Sequence, residues 1–208
     1  MSVSSPSHRG QQKERTRAAL LEGARGLFAE RGFPGTQVSD IARAAGVAHG
    51  TFYVHFENKE RLLDELLLHH NEALVAKLAR AWRPDAQADP LATAGKLAEI
   101  CLDHWRAERG LVLAFAQRAG VDGSVESLRD GINPQVGRLL GERLAELGAR
   151  LGQPLADPML LAQALLGMWT RVAMQHLFGN VPRKRAVELL ASLSVGALRA
   201  AFPALSSS

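Results

Sequence analysis

The sequence predicts an all-α protein with a small N-terminal domain and a larger helical domain. Apolar residues recur at steps of three and four along almost the whole chain, which is the period of an amphipathic helix. No segment alternates apolar and polar residues as a half-buried strand does. Gly and Pro separate the helical stretches, and 208 residues are enough for two domains of ordinary size. We therefore expect a three-helix N-terminal domain with a helix-turn-helix, followed by a C-terminal helical bundle.

Residues 1–14 are predicted to form a flexible basic arm ahead of the first helix. Such an arm can contact phosphates, but the Ser residues within positions 1–10 equally fit a solvated disordered end, so both interpretations stay open. The positive charges belong to Arg9, Lys13, Arg15 and Arg17, and only Glu14 opposes them. They continue into the first turn of the predicted helix.

The first helix is predicted over residues 15–31, and Gly32 ends it. Residues 33–35, which read Phe-Pro-Gly, then make a tight corner. The hydroxyl of Thr36 is well placed to cap the next helix. The apolar face of the first helix consists of Leu20, Leu21, Ala24, Leu27 and Phe28.

Residues 37–56 predict two short helices joined by a glycine turn. Gly46 supplies the left-handed conformation that ends the first helix, and Val47 can reach the core from the turn. In the second helix Phe52 and Phe56 are four residues apart, so they share an apolar face and the polar residues point outward. This arrangement indicates a helix-turn-helix, whose second helix reads the major groove of DNA. The apolar face of the first short helix is Val38, Ile41, Ala42 and Ala45, and the outward residues of the second are His49, Thr51, Tyr53 and His55.

A long helix is predicted from Asn58, which can cap it, to a stop at Pro84. At about 1.5 Å per residue this helix is roughly 38 Å long, enough to join two domains rigidly. Its apolar positions are Leu62, Leu63, Leu66, Leu67, Leu74 and Leu78.

The remaining chain predicts five further helices, three of which open with an Asp-Pro or Asn-Pro pair that supplies a cap and a first helical residue. The domains are placed at residues 15–73 and 74–203, with a tail at 204–208. The predicted spans are 90–109, 111–119, 134–151, 158–178 and 182–202, with a doubtful turn at 124–129.

The last two helices indicate a homodimer. The segment Met159 to Phe178 has only five polar side chains, too few for a helix with one wet face, so one side should contact its own core and the other a second subunit. Two copies of residues 158–202 would form a four-helix seam. The alternative is a monomer with this helix at the centre of the bundle.

The N-terminal motifs resemble the DNA-binding domain of the tetracycline-repressor (TetR) family of bacterial regulators, over residues 15–73. The resemblance implies a homodimer that binds a pseudo-palindromic operator and is released from DNA by a small molecule bound in the larger domain. Two positions depart from the family pattern, since Ala48 stands where Ser often caps the recognition helix and His49 stands where Lys is frequent. The matching positions are the first-helix face with Gly32, then Asp40, Ile41 and Ala42, then Ala45, Gly46 and Val47, then Gly50, Thr51, Phe52, Tyr53, His55 and Phe56, and finally Asn58, Lys59 and Glu60.

Two sets of DNA-contacting residues are predicted. Tyr53 could instead be a core ring with its hydroxyl at the surface, and His55 could be a packing residue. Lys59 is unfavourable at a helix N-terminus on dipole grounds, and an anion nearby would explain it. The base-reading residues are His49, Gly50 and Thr51, and the phosphate-contacting residues are Thr36, Ser39, Tyr53, His55 and Lys59.

The predicted ligand is small and largely apolar, bound within the C-terminal bundle. A bundle pocket needs aromatic walls and a few polar groups, and several side chains fit this description. Each of them could also be an ordinary core residue. The candidates are His104, Trp105, Phe115, Gln117, Met168 and Trp169.

The predicted function is a ligand-responsive, sequence-specific transcriptional regulator, most simply a repressor of a pseudo-palindromic operator. A ligand-blind or architectural DNA-binding protein is the alternative, but the net charge of +4 is modest for it. An enzyme is less favoured, since no HExxH or CxxC spacing occurs and no catalytic residue, metal site or cofactor is expected. The single Cys101 is interpreted as a small buried residue, with a redox sensor as the alternative. With no apolar leader or membrane span, a cytoplasmic protein is expected.

Overall fold

The computed structural model describes residues 8–82, 90–121 and 134–206. These residues form nine α-helices and one 3-10 turn without any strand, which confirms the predicted all-α class. The α-helices are α1 (His8–Arg31), α2 (Val38–Ala44), α3 (His49–His55), α4 (Lys59–Ala81), α5 (Pro90–Ala107), α6 (Arg109–Val121), α7 (Pro134–Arg150), α8 (Pro158–Phe178) and α9 (Arg183–Ala201), and the 3-10 turn is Pro203–Ser206. Within the described ranges, no helix is long and apolar enough to cross a membrane.

The chain divides into two compact units. Among the described residues, the first unit contains 8–69 and 109–121, and the second contains 70–82, 90–108 and 134–206. The predicted boundary at residue 73 lies close to the observed one within α4, but α6 belongs to the first unit rather than to the C-terminal domain. The reason is close packing on α1, because a Cβ added at Gly110 would lie 2.5 Å from Ala29 Cα.

The core of the first unit is built from the apolar faces that the sequence predicts. Phe28, Ile41 and Phe52 are completely buried, one each from α1, α2 and α3. Gly46 has φ +69°, a conformation that favours glycine, and the amide of Val47 donates to Ala42 O at 3.0 Å. The glycine turn therefore sets the direction in which α3 leaves α2.

Two predictions near the start of the chain need correction. The helix α1 begins at His8, so residues 8–14 are helical and not part of an arm; good helix formers such as Gln, Lys and Glu in this stretch explain the extension. Residues 1–7 lie outside the described residues. Thr36 does not cap α2, because Gln37 holds the cap position and the Thr36 hydroxyl donates to Gly32 O at 2.7 Å.

Local helix signals are confirmed elsewhere. The carboxylate of Asp157 accepts a hydrogen bond from the amide of Leu160 at 2.8 Å, ahead of Pro158 in the first turn of α8. Asn58 Oδ1 accepts from the amide of Arg61 at 2.8 Å at the start of α4. The doubtful turn at 124–129 and the stop at Pro84 fall outside the described residues.

The second unit is a bundle in which α9 packs against α5 and α8, while α7 packs against α8. Trp105 on α5 and Trp169 on α8 are almost fully buried in its core. The indole N–H of Trp169 donates to Ser194 Oγ of α9 at 2.9 Å, which satisfies both polar groups inside the bundle. On the surface, Arg183 of α9 forms two hydrogen bonds, of 2.8 and 2.7 Å, with the carboxylate of Asp103 on α5.

Candidate nucleic-acid interface

The helix α3 has one buried side and one exposed side. Phe52 is fully buried and Phe56, just after the helix, is nearly so, with their ring centroids 5.8 Å apart. His49, Tyr53 and Val54 are exposed on the opposite side. The apolar pair thus fixes the helix to its unit and leaves seven residues of helix with a free outer face.

The predicted base-reading residues lie at the start of that outer face. His49 and Gly50 are exposed, and Thr51 is half-buried. A Cβ added at Gly50 would meet nothing within 4 Å, so no packing inside the protein requires glycine at this position. The backbone of Gly50 is therefore open to close approach by a partner. Ala48 holds the cap position of α3 without a side-chain hydrogen bond.

Val54 is a surface residue that the sequence interpretation missed. It is the most exposed large apolar side chain among the described residues, at 69%. Its position, three residues after Thr51 and four after Gly50, was the available signal, because these spacings place side chains on neighbouring parts of a helix surface. An exposed valine there can contact the methyl group of thymine.

Tyr53 is 54% exposed, which removes the interpretation of its ring as a core residue. The ring lies between two neighbours on its own helix, with centroid distances of 5.4 Å to His49 and 5.4 Å to Phe52, both edge-on. These contacts hold the ring while its outer edge stays in solvent. The phenol hydroxyl is thus available to a phosphate oxygen.

Lys59 is tied to the corner between α1 and α2. Its Nζ donates to Phe33 O at 2.9 Å and to Thr36 O at 3.0 Å, and it lies 4.3 Å from the centroid of the Phe33 ring. An ammonium has three N–H groups, so one remains for another acceptor. A surface groove of about 410 Å³ adjoins this site, with Tyr53 and Lys59 among its lining residues.

Thr36 and Ser39 differ in their access to a phosphate. The Thr36 side chain is completely buried with its hydroxyl bonded to Gly32 O, so it offers no group to DNA. Ser39, in the first turn of α2, is half-buried. The predicted phosphate contact of Thr36 is therefore withdrawn, because packing against the Phe-Pro-Gly corner takes the side chain into the core.

His55 is half-buried at the end of α3, and its Nδ1 is buried without a hydrogen-bond partner. Burial lowers the pKa of the imidazole below its ordinary value, and the nearby charges of Arg17 and Lys13 lower it further. A neutral ring in this position supports the packing interpretation better than a charged phosphate contact.

The predicted ligand-binding residues do not lie together. Phe115 and Gln117 belong to the first unit, where Gln117 Oε1 accepts from the amide of Phe33 at 2.9 Å. Phe115 is buried beneath the guanidinium of Arg118, 5.4 Å from its ring centroid. The described contacts of both side chains thus lie within the first unit, and their role in ligand binding stays a prediction.

The other four candidates lie in the second unit. Met168 is half-buried, Trp169 is bonded to Ser194, and Trp105 and His104 are buried on α5. The indole nitrogen of Trp105 is buried and has no hydrogen-bond partner, and the same holds for Oδ1 of the buried Asn71 on α4. Buried polar atoms without partners are uncommon and need a specific explanation.

His104 lies in a defined hydrogen-bond chain. Its ring stacks on His70 with centroids 4.2 Å apart, its Nε2 lies 3.0 Å from His70 O, and its Nδ1 lies 3.0 Å from Lys77 Nζ. An ammonium only donates, so Nδ1 accepts and the proton resides on Nε2, which donates to the carbonyl. Burial lowers the pKa of His104, which favours this neutral form.

Neither metal nor thiol chemistry finds support in the described part of the chain. No group of three His, Cys, Asp or Glu side chains there could hold a metal ion. Cys101 is completely buried on α5, and burial raises the pKa of its thiol. A buried, protonated thiol is a poor nucleophile, which supports the structural interpretation of this residue.

Comparison with known proteins extends the similarity beyond the helix-turn-helix. Residues 20–66 match the sequence profile of the bacterial regulatory proteins of the tetR family. An HTH-type transcriptional repressor of Mycobacterium tuberculosis is 35% identical over 162 residues, which cover 71% of this chain and 77% of that protein. The HTH-type transcriptional regulator TtgR of Pseudomonas putida is 39% identical over 89 residues, covering 42% of this chain and 41% of TtgR.

Solved structures share the fold. The fatty acid degradation regulator FadR from Bacillus halodurans superposes with a TM-score of 0.68 at 25% identity, over 95% of this chain and 99% of FadR. A TetR-family regulator from Syntrophomonas wolfei shares the fold with a TM-score of 0.71 at 19% identity, over 92% of this chain and 96% of that one. With a helix-turn-helix whose outer face is free and a relative matched over most of its length, this chain belongs to the tetR family of bacterial regulatory proteins and is a DNA-binding transcriptional regulator.

Proposed function

We propose that this regulator is a homodimeric repressor that reads a pseudo-palindromic operator with α3 and is released from it by a small molecule. The observation that carries the proposal is the two-sided character of α3, with Phe52 buried and His49, Gly50 and Val54 exposed. A short helix that presents donors, an acceptor and an apolar side chain outward has the groups needed to distinguish base pairs in the major groove.

The proposed reading surface consists of His49, Gly50, Thr51 and Val54. The two ring nitrogens of a histidine can serve as donor and acceptor, whereas a lysine only donates, so the base preference at position 49 differs from that of a lysine-bearing relative. Val54 adds an apolar contact suited to thymine. These residues set specificity because base edges carry the sequence information.

The proposed phosphate contacts are Ser39, Tyr53 and the free N–H of Lys59. The hydroxyls of Ser39 and Tyr53 can donate to phosphate oxygens, and Lys59 adds a positive charge beside the groove that Tyr53 lines. We place His55 behind this surface as a packing residue, because its half-buried neutral ring lacks the charge for a strong phosphate contact.

The proposed dimer interface is the outer face of α8 and α9. The buried stripe of α8 follows one face of the helix, through Ala162, Leu165, Trp169, Ala173 and Leu177. Leu160 (62% exposed) and Phe178 on α8, and Leu193 on α9, remain exposed as large apolar side chains. A Cβ added at Gly167 or Gly196 would meet nothing within 4 Å, so a partner helix can approach closely there. A second copy covering this surface would explain why so much of α8 is apolar.

The proposed ligand binds in the second unit and is mainly apolar with a small number of polar atoms. The relative from Mycobacterium tuberculosis is named a repressor, and FadR is named for fatty acid degradation. A third protein, RolR, was solved with resorcinol. RolR shares the fold with a TM-score of 0.66 at 21% identity, over 89% of this chain and 88% of RolR. The unpartnered Trp105 Nε1 and Asn71 Oδ1 support a ligand that bears both a hydrogen-bond acceptor and a donor, such as a hydroxyl beside a carbonyl.

Selection of bound duplexes from a random pool tests the DNA-reading part of the proposal. A two-fold symmetric consensus is expected, with affinity for it exceeding that for random duplex by roughly a thousandfold or more. A small-molecule screen by thermal shift, followed by titration of the operator complex, tests release. A compound that stabilises the chain without lowering operator affinity would contradict the proposed release mechanism.

A further inference from the structure

Arg17 on α1 contacts the last residue of α3, the residue that follows it, and the second turn of α4. Its Nε donates to Glu65 Oε1 of α4 at 2.9 Å, and its Nη2 forms a second hydrogen bond to Glu65 Oε2. Its Nη1 donates to the backbone carbonyl of His55, in the last turn of α3, at 2.9 Å. The guanidinium carbon also lies 4.4 Å from the centroid of the Phe56 ring.

The contact with His55 O falls where a helix most needs a donor. The last carbonyl groups of a helix have no partner within the helix, and they carry the negative end of its dipole. The last helical hydrogen bond of α3 runs from the amide of Phe56 to Phe52 O. The carbonyl of His55 therefore needs a donor from outside the helix. A cation that donates to it both completes the bonding and interacts favourably with the dipole.

The guanidinium geometry makes this contact directional. Arginine presents its N–H groups in a rigid planar fork, so two bonds to one carboxylate fix the plane of the group. With that plane set by Glu65, the two N–H groups of Nη1 are held in the same plane, and Nη1 donates to His55 O. Phe56 supports the face of the same group. The pair is partly buried, with 31% of the Arg17 side chain and 20% of the Glu65 side chain exposed, so solvent competes only in part.

We propose that Arg17 is a positioning residue of the recognition helix: held by Glu65, it fixes the C-terminal end of α3 and so the angle at which His49 to Val54 meet base edges. The inference rests on the proposed reading of DNA by α3. It assigns Arg17 a role different from that of a basic side chain that contacts phosphates. It also gives Glu65, an acidic residue, a favourable part in DNA recognition.

The sign of the Glu65 effect separates the two roles. If Arg17 contacted phosphate, removing the negative charge of Glu65 would free the guanidinium and strengthen binding to any duplex. If Arg17 positions α3, removing the charge of Glu65 leaves the Arg17 guanidinium without its fixed orientation. Binding to the operator, which depends on contact with base edges, then weakens, while binding to a random duplex does not. The two residues would then behave as one unit, and their effects on operator binding would not add.

The experiment measures affinity of the full-length chain for its selected operator and for a random duplex across a salt series. The variants are Arg17→Gln, Arg17→Lys, Glu65→Gln and the double variant Arg17→Gln/Glu65→Gln, with Lys13→Gln as the matched control, an exposed cation one helical turn earlier on α1. Operator affinity should fall about tenfold in each Arg17 and Glu65 variant, while random-duplex affinity stays within about twofold. The double variant should be no weaker than the weaker single variant, and the salt slopes should be unchanged.

Lys13→Gln should leave the ratio of operator to random affinity as it is. Arg17→Lys keeps the positive charge but lacks the fork, so it too should lose operator preference. The role of Arg17 is overturned if Arg17→Gln weakens both duplexes equally with a shallower salt slope, or if Glu65→Gln binds both more tightly. A wild-type chain that selects no preferred duplex would instead overturn the proposed function itself.

A local NMR measurement without DNA distinguishes a loss of operator affinity caused by unfolding from one caused by a displaced α3. The histidine ring signals of NMR report the pKa of His55, which burial and the charge of Arg17 both lower in the native chain. In folded Arg17→Gln the pKa of His55 should rise toward its ordinary value. The NMR signals of Lys59 and of the other residues that line the groove beside it should stay native. A variant with native signals throughout and native operator preference would count against the positioning role.

Discussion

Lys59 Nζ donates a hydrogen bond of 3.0 Å to the backbone carbonyl of Thr36, and the same ammonium donates to Phe33 O at 2.9 Å. A residue predicted to hold a phosphate is thus first a tie between the start of α4 and the corner before α2. Its remaining N–H and its charge still face the groove lined by Tyr53. The structural and DNA-binding roles of Lys59 are therefore expected to change together on mutation.

Replacing Lys59 by Met should lower the free energy of unfolding by about 1 to 3 kcal/mol, because two backbone carbonyls lose their charged donor. Affinity should fall by a similar factor for operator and random duplexes, with a salt slope shallower by about one. Urea denaturation and a salt series of binding isotherms measure the two effects. A Lys59→Met chain of native stability would show that the two hydrogen bonds contribute nothing measurable.

His49→Ala should change the selected consensus without unfolding the chain, because the imidazole is exposed and faces away from the core. Selection from a random duplex pool, compared with that of the native chain, identifies the altered base position. An equal loss of affinity for every sequence would contradict a base-reading role of His49.

Val54→Ala is expected to relax a preference for thymine at another operator position, since the substitution removes the side-chain methyl groups proposed to contact the thymine methyl. The same selection from a random duplex pool measures this change.

Phe52→Ala should lower the free energy of unfolding by about 3 to 5 kcal/mol, since it removes a fully buried ring from the junction of α1, α2 and α3. The matched control is Val54→Ala, two residues away on the exposed side, which should change stability by no more than about 0.5 kcal/mol. Chemical denaturation measures both. Similar losses in the two variants would mean that the side of α3 that carries Val54 is packed in the core as well.

Leu160→Glu and Leu193→Glu should shift the chain from dimer to monomer, because each places a charge in the proposed interface. Leu68→Glu is the control, a change at an exposed leucine of α4 outside that surface. Sedimentation equilibrium gives the dissociation constants. Dimers of native strength in both interface variants would show that the subunits meet at another surface, whereas a native chain that sediments as a monomer would favour the monomeric-bundle alternative for α8.

Folding stability should depend on pH through His104. Burial lowers its pKa in the folded chain below 6.5, so the unfolded chain binds the proton first as the pH falls. Its contribution is therefore fully present above the unfolded pKa of 6.5 and is lost as the pH falls through the folded pKa. His104→Gln should reduce the slope of unfolding free energy against pH in this range, measured by urea denaturation. His55, with a pKa lowered in the same direction, should supply part of the remaining slope.

The prediction of the fold depended on signals that act between neighbouring residues. Gly46 ends α2 because its left-handed conformation is a local property of glycine, and Asp157 with Pro158 starts α8 because a cap and a fixed φ act within one turn. The alternation of Phe52 and Phe56 with polar residues likewise determined which side of α3 is outward. The spacing of Val54 from Gly50 and Thr51 was also a local signal, but the exposure of its side chain was decided by how α3 packs on its unit.

The sequence by itself determined the helix order, the helix-turn-helix and the outward side of α3, since periodicity and capping need no knowledge of distant partners. Only the tertiary structure decided where Arg17, Thr36 and Gln117 point. Arg17 meets a carboxylate 48 residues away, and Gln117 meets a backbone amide 84 residues away. A charged or polar side chain can be satisfied by water, by DNA or by another helix with comparable free energy, and the choice is made only when packing brings one of these within hydrogen-bond distance.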